Sequence, residues 1–338
     1  MLTGQFGAGI AEGARVAFWL AAALLFYVYA GYPLLLALIG LFVRRHRPAA
    51  GYTSRISVLI AAYNEEEAIG KVIDDVKTAM TRHPMPYEIL VVDDDSSDRT
   101  AEIAAGKAVR VVRRHNRGGS GASRRTGILE AKGDIIVMLD ADGSYEASDI
   151  PKMLEYFPDY DQVNGARTSE QGTLKFLRTP AKWFIRKLAC YLTSTDIPDL
   201  NTGLKAFKKE IMKKYLWVLP DGFSCVTTMT LAFLTNGYSV KYIPTQYHKR
   251  IGKSKFHPVK DTLSYLNTVV RMVMYFKPLR VFMPLAGALL VFACIKSFLS
   301  LAWTSTLQES DIIIFMTVIM LGALGLIADL IATYHNRA

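Results

Sequence analysis

Cysteine is scarce in this chain of 338 residues, and so is charge. The three cysteines, Cys190, Cys225 and Cys294, are odd in number and share no metal-ligand spacing. That excludes a disulfide framework and a thiolate metal site, and it reads as three free thiols in a reducing compartment. Also missing are a G-x-x-x-x-G-K-[ST] loop and a G-x-G-x-x-G run after the first predicted strand. Nucleotide hydrolysis and hydride transfer thereby lose their usual signatures. No internal repeat or low-complexity tract is visible.

Charged residues make up 21% of the chain against 51% apolar, and the apolar residues come in runs too long for a soluble domain. Val16 to Val43 carries no charge over 28 positions, more than the roughly 20 residues a helix needs to cross a bilayer. A cleaved signal peptide is the competing reading of that run, but its apolar core would be shorter, about 7–15 residues. Val281 to Leu307, with Lys296 as its one charge, and Ile312 to Ala328 read as second and third spans. Lys296 either snorkels to an interface or has a function of its own. Basic residues flank the spans on one side, with Arg44 to Arg47 after the first, Lys277 and Arg280 before the second and Arg337 after the third. By the positive-inside rule the chain is an integral membrane protein with its N-terminus outside and its middle in the cytoplasm.

The formal charge of +10 asks for an anionic partner. Nucleic acid, anionic lipid and phosphorylated substrates all qualify, and the spans favour the last two. Nucleic acid is excluded further because no aromatic stacking platform accompanies the basic residues.

Between Arg55 and Ala166, β-rich runs (Ile56 to Ala62, Tyr87 to Val92, Val109 to Val112, Asp134 to Leu139, Asp161 to Ala166) alternate with helical patterns (Glu66 to Met80, Asp98 to Ala105, Gly121 to Ala131, Ala147 to Tyr156). Such alternation predicts a mostly parallel sheet with ligands at the carboxyl ends of its strands. Leu174 to Leu192 and Val259 to Phe276 mix aromatic, aliphatic and basic residues as interfacial helices do, or as helices docked on the soluble part would.

Acids gather at the predicted strand ends, in "AAYNEEEAI" (Ala61 to Ile69), "DDDSSDRT" (Asp93 to Thr100) and "DADG" (Asp140 to Gly143). Clustered carboxylates repel unless a cation or donors balance them. Asp140 and Asp142, two residues apart, point the same way on an extended strand. Hard oxygen ligands suit Mg²⁺ or Mn²⁺ completed by substrate phosphates, and solvated loop acids are the alternative. "NRGGSGASRRTG" (Asn116 to Gly127) offers backbone amides at a helix start to an anion. "YHKRIGKSK" (Tyr247 to Lys255) offers forked and point donors to phosphate oxygens, or a contact for anionic lipid.

In order and spacing, "AAYNEE", "VVDDDSSDRT", "NRGGSGASRRTG", "LDADGSY", "NGAR", "IPDLNTGLKAF" and "RIGKSK" resemble the family-two glycosyltransferases. The likeness is to their polyprenyl-phosphate branch, typified by dolichol-phosphate mannose synthase, and runs from about Arg55 to about Lys255. The resemblance implies a GT-A, Rossmann-like α/β fold. It implies Asp140 and Asp142 as ligands of Mg²⁺ or Mn²⁺ on the donor diphosphate, with Tyr63, Glu65, Asp94 and Arg117 at the nucleotide. It implies Arg167, Arg250, Lys253 and Lys255 near the acceptor phosphate and donor diphosphate, Ser254 beside them, Asp199 lining the active site, and Lys182 and Arg186 on an acceptor-gripping interfacial helix. Ser144 stands where many relatives have a metal-ligating glutamine, and Lys205 where many have arginine.

The expected domains are an anchor (1–47), a cytoplasmic catalytic domain (48–257) with an interfacial helix (174–192), a juxtamembrane helix (258–279) and two C-terminal spans (280–338). The implied reaction is inverting transfer of one sugar from a UDP- or GDP-linked donor to a polyprenyl phosphate such as undecaprenyl or dolichyl phosphate. The implied partners are those two substrates and membrane lipid, and a homo-oligomer is compatible with the sequence. A processive polysaccharide synthase would need a Gln-x-x-Arg-Trp motif, absent here, and a non-catalytic scaffold should have lost the acids at the strand tips.

Overall fold

The computed structural model of the protein describes residues 2–32, 34–35, 38, 54–81, 83–168, 175–251 and 258–335. It divides into two compact units, residues 1–51 and 52–338. The first holds helix α1 (Leu2–Phe26), which runs on into a π-helical turn (Tyr27–Gly31). The predicted span from Val16 is therefore helical as far as Tyr32, and most of its remainder lies outside the described residues.

The second unit is built on a seven-stranded sheet. Its chain order is β1 (Ile56–Ala62), α2 (Ile69–Met80), β2 (Tyr87–Asp93), α3 (Thr100–Gly106), β3 (Arg110–Arg113), α4 (Ser120–Glu130), β4 (Ile135–Asp140), α5 (Asp149–Leu154), β5 (Gln162–Arg167), α6 (Lys175–Thr193), β6 (Lys205–Lys208), α7 (Lys209–Lys213), α8 (Cys225–Thr235), β7 (Val240–Thr245), α9 (Pro258–Phe276), α10 (Leu279–Thr304) and α11 (Glu309–His335). The strand order is β3-β2-β1-β4-β6-β5-β7. Only β6 runs antiparallel, to β4 and β5.

The central strands β1 and β4 are apolar along almost their whole length because helices cover both faces. Along β1 every residue but Ala61 is buried. On one face α2 lays Ile69, Val72, Ile73, Val76 and Met80, the 3.6-residue stripe of an amphipathic helix, against Ile56, Val58 and Ile60. On the other, Leu59, Leu90 and Met138 meet Ile128 of α4 and Met229 and Phe233 of α8. Each such aliphatic side chain contributes roughly 1.5–3 kcal/mol by leaving water. A third cluster joins α6, α8 and α9 through Ile185, Ala189, Leu231, Val269 and Phe276. The two helices of interfacial composition thus bury one stripe on the soluble part, while Trp183, Tyr191, Leu263 and Tyr275 stay exposed on the other.

Helices α10 and α11 are each long and apolar enough to cross a membrane. Their outward faces, including Phe292, Phe298, Ile313, Met320 and Leu330, are exposed apolar surface. Lys296 does not depend on snorkelling. It donates to Asp311 Oδ1 at 2.6 Å and to Ser310 Oγ at 2.7 Å, and the backbone N–H of Gln308 donates to Asp311 Oδ2 at 2.8 Å. The charge on α10 is neutralised by the first turn of α11.

Candidate active site

The carboxyl ends of β1, β2 and β4 lie side by side in register, Ala62 beside Asp93 and Ala61 beside Asp140. The loops leaving β1 and β2 are bonded to each other. Ser97 N–H donates to Asn64 Oδ1 at 2.9 Å, Glu65 N–H to Thr100 Oγ1 at 2.8 Å and Glu66 N–H to Asp98 Oδ2 at 3.1 Å. Glu65 is thereby held through its backbone N–H, and the Glu66 and Ser97 amides supply donors to the acid and amide side chains of this corner.

Asp94 is buried, with both carboxylate oxygens engaged. It pairs with Arg114 and accepts the amide N–H groups of Gly118 at 3.1 Å and Gly119 at 2.7 Å. Gly119 has φ of +94°, and a Cβ there would lie 2.7 Å from the carbonyl oxygen of Asp221, so only glycine fits. Asp94 fastens the glycine-rich loop and with it Arg117, whose guanidinium stacks 4.2 Å from the centre of the Tyr63 ring. Three of the residues implied for the nucleotide, Tyr63, Asp94 and Arg117, thus share one corner.

At the end of β4, Asp140 receives Arg124 Nη2 at 2.5 Å. Arg124 comes from α4, one turn after Ser120, and its side chain is only 5% exposed. On the other side a Cβ on Gly203 would fall 2.3 Å from Asp140 Oδ2, so the missing side chain leaves the carboxylate its room. Asp142 is buried too. Its Oδ1 accepts both the N–H and the hydroxyl of Ser144, at 3.0 and 2.5 Å, and its Oδ2 pairs with Arg250. Burial, reinforced by the charge of Asp140, pushes the Asp142 carboxyl above the usual range.

Arg167, at the end of β5, and Asp199 form a bidentate pair, Nε to Oδ2 at 2.7 Å and Nη2 to Oδ1 at 2.9 Å. Burial pushes Asp199 upward, but the hydrogen bonds and charge of Arg167 outweigh it and hold the carboxyl below the usual range. Arg167 also lies over the Tyr247 ring, 5.2 Å from its centre, and Tyr247 packs edge-on against Tyr145 at 5.1 Å. The Tyr145 hydroxyl accepts the N–H of Gly203 at 2.7 Å, tying the 199–203 segment to the Asp140 loop.

Arg186 is half-buried on α6. Lys182 falls in the same helix with its side chain outside the described residues, as are Lys253, Ser254 and Lys255. The motif reading passed over Arg124, Arg114, Tyr145 and Gly203. Arg124 alone had a readable signal, standing four residues after Ser120 on the helix that the glycine loop opens.

The donor set fits a hard divalent cation with few protein ligands. Asp140 and Asp142 stand two residues apart at the end of β4, and a Cβ on Gly203 would fill the space beside Asp140 Oδ2. No group of three metal-binding side chains occurs among the described residues. The Ser144 hydroxyl donates to Asp142 and so orients that carboxylate.

A family model described as Glycosyl transferase family 2 matches residues 57–216, and one described as GtrB C-terminal hairpin matches residues 277–334. A dolichyl-phosphate hexose transferase of Haloferax volcanii is 28% identical over 219 residues, covering 64% of this chain and 93% of that protein. An undecaprenyl-phosphate 4-deoxy-4-formamido-L-arabinose transferase of Pectobacterium carotovorum is 32% identical over 169 residues, covering 48% of this chain and 51% of its own. The crystal structure of glucosyl-3-phosphoglycerate synthase from Mycobacterium tuberculosis with Mn²⁺, UDP-glucose and phosphoglyceric acid superposes with a TM-score of 0.52 at 18% identity, over 68% of this chain and 85% of that one. That likeness speaks for the fold alone. With its sheet, its acidic strand tips and its apolar hairpin accounted for, the chain carries a glycosyltransferase family 2 domain over residues 57–216, followed by a hairpin of the GtrB type over residues 277–334.

Proposed function

We propose that the protein transfers a single sugar from a nucleotide-sugar to a polyprenyl phosphate at the cytoplasmic face of a membrane, with inversion at the anomeric carbon. The observation that carries this reading is the meeting of the Asp140-Asp142 loop, the Arg167–Asp199 pair and the basic segment around Arg250 at one sheet edge, in a chain that ends in a membrane hairpin. The names of the relatives from Haloferax volcanii and Pectobacterium carotovorum support the acceptor class.

Asp140 and Asp142 would hold Mg²⁺ or Mn²⁺. Bound there, such an ion offsets the charge that builds on a departing nucleoside diphosphate. The rest falls to side chains. A phosphate monoester has a second pKa of about 6, so the acceptor arrives already anionic and needs no strong base. This suits Asp199, which is ionised but committed to Arg167 and serves to aim that guanidinium. Tyr63 and Arg117 stack beside the donor corner, and the glycine loop fastened by Asp94 shapes it. Catalysis then consists of positioning and charge neutralisation. Attack from the face opposite the leaving group gives a β-linked product from an α-linked donor. The basic flanks of the apolar segments support a cytoplasmic domain with the N-terminus outside.

The test is release of nucleoside diphosphate from a panel of UDP- and GDP-sugars by the purified protein, with and without undecaprenyl phosphate. Release is expected from one donor, only with the lipid, and lost in EDTA and in Asp142→Asn. Lipid-independent release would overturn the acceptor assignment.

A further inference from the structure

The two carboxylates of the Asp140-Ala141-Asp142 loop have counter-ions of opposite character. Arg124, the partner of Asp140, belongs to the packed face of α4 and is buried. Arg250, the partner of Asp142, follows β7 on a loop, and its side chain is 30% exposed. That loop is fastened to the Asp142 loop by backbone. His248 N–H donates to the Ser144 carbonyl at 2.9 Å, Ile251 N–H donates to the Asp142 carbonyl at 3.0 Å, and Tyr145 pairs with Tyr247 as an isolated bridge. His248 Nε2 lies 2.7 Å from Glu146 Oε1, one further tie between the same two segments. This register aims Arg250 at the one Asp142 oxygen that Ser144 leaves open.

We propose that Arg250 is the built-in counter-ion of Asp142 before the donor binds, and that it yields this carboxylate to the divalent cation, so that loading the donor site is what frees its guanidinium for the acceptor phosphate. The inference rests on the metal-dependent transfer proposed above and adds an order of events to it. Asp142 Oδ1 is filled by two Ser144 donors and Oδ2 carries Arg250, so a cation approaching the open side of the carboxylate meets the guanidinium at the same oxygen. Ser144 is two residues on in the chain and neutral, and it stays. Arg250 is charged and would be repelled by a divalent ion at contact distance. It leaves with a long side chain that can swing while the backbone bonds of His248 and Ile251 keep it at the site. Until then the Asp142 carboxylate holds Nη2 and offsets the charge of the guanidinium, so acceptor binding before donor binding is disfavoured. Asp140 keeps its fixed partner throughout, which holds half of the cation site in place while the other half exchanges.

The consequence is counter-intuitive for a phosphate-binding arginine. Removing it should tighten cation binding, because a tethered competitor is gone. Mn²⁺ binding to the full-length protein, followed by electron paramagnetic resonance without nucleotide, should strengthen by about tenfold in Arg250→Ala, a change of about 1.4 kcal/mol. Arg250→Gln, which keeps most of the shape, should move the same way. Linkage being reciprocal, Mn²⁺ with UDP or GDP should raise the affinity of the wild-type protein for a short-chain polyprenyl phosphate, and the increase should vanish in both variants. Unchanged or weaker Mn²⁺ binding in both variants would overturn the exchange. If Mn²⁺ binds the wild type with UDP or GDP while the variants show no tightening, only this inference falls. If Mn²⁺ binds under neither condition, the metal-dependent reading falls with it.

Discussion

Lys205 is the residue whose environment departs furthest from what its type prefers. It sits in β6 between Met138 and Asn164 on the neighbouring strands, with no exposed surface. Its ammonium donates to Thr230 Oγ1 at 2.7 Å and Asn164 Oδ1 at 3.3 Å, both neutral. Burial lowers its pKa to about 7. The folded protein therefore favours the neutral amine, while the unfolded chain keeps an ordinary lysine near 10.5. Below pH 7 both states are charged and the burial penalty is full. Between pH 7 and about 10 the penalty disappears, so stability should rise with pH, with a limiting slope of about 1.4 kcal/mol per unit. Urea unfolding in detergent at pH 6.5 and 9 should show this rise in the wild type, and Lys205→Met should remove it. An identical pH dependence in the two proteins would assign the rise to other groups. The position was legible from the motif and the environment was not, because "GLKAF" reads as ordinary alternation until α8 closes over it.

Among the secondary-structure elements, the long amphipathic and apolar segments were the readable ones. Strands β1 and β4 follow from uninterrupted apolar runs and helix α2 from 3.6-residue spacing, and the other elements up to β5 were placed by the alternation of β-rich and helical patterns. Strands β6 and β7 and helix α8 do not. In "KAFK" two of four residues are lysine, and "CVTTMTLAFLT" is apolar or threonine all round, so it carries no face to recognise. Its burial is set by the sheet on one side and by α6 and α9 on the other. The hairpin teaches the converse. Lys296 looked like an anomaly in a span, and its explanation lay 15 residues on, across the turn, in Asp311. Removing either charge leaves the other uncompensated beside lipid, whereas removing both does not. Lys296→Leu and Asp311→Leu should each lower the melting temperature of the detergent-solubilised protein by several degrees, and the double variant should recover most of the loss. Additive losses in the double variant would show that the pair is not coupled.

At the scale of the whole molecule the chain combines a soluble sheet whose ligand edge carries paired acids and arginines with a hairpin whose surface suits lipid. The acids at the strand tips were readable because their density is unreasonable without a balancing cation. The balancing arginines were less so, since Arg124 and Arg250 reach Asp140 and Asp142 from 16 and 108 residues away. That convergence exists only once the sheet has formed.

The central claim is that the acceptor is a lipid phosphate and that the sugar is transferred to it with inversion. The most direct measurement incubates the purified protein with undecaprenyl phosphate, Mn²⁺ and the radiolabelled donor identified by the panel, extracts into organic solvent, and determines the anomeric configuration of the product by nuclear magnetic resonance. The account predicts label in a lipid released by mild acid, with a β-linked sugar from an α-linked donor. Label confined to the aqueous phase, or an α-linked lipid product, would contradict it.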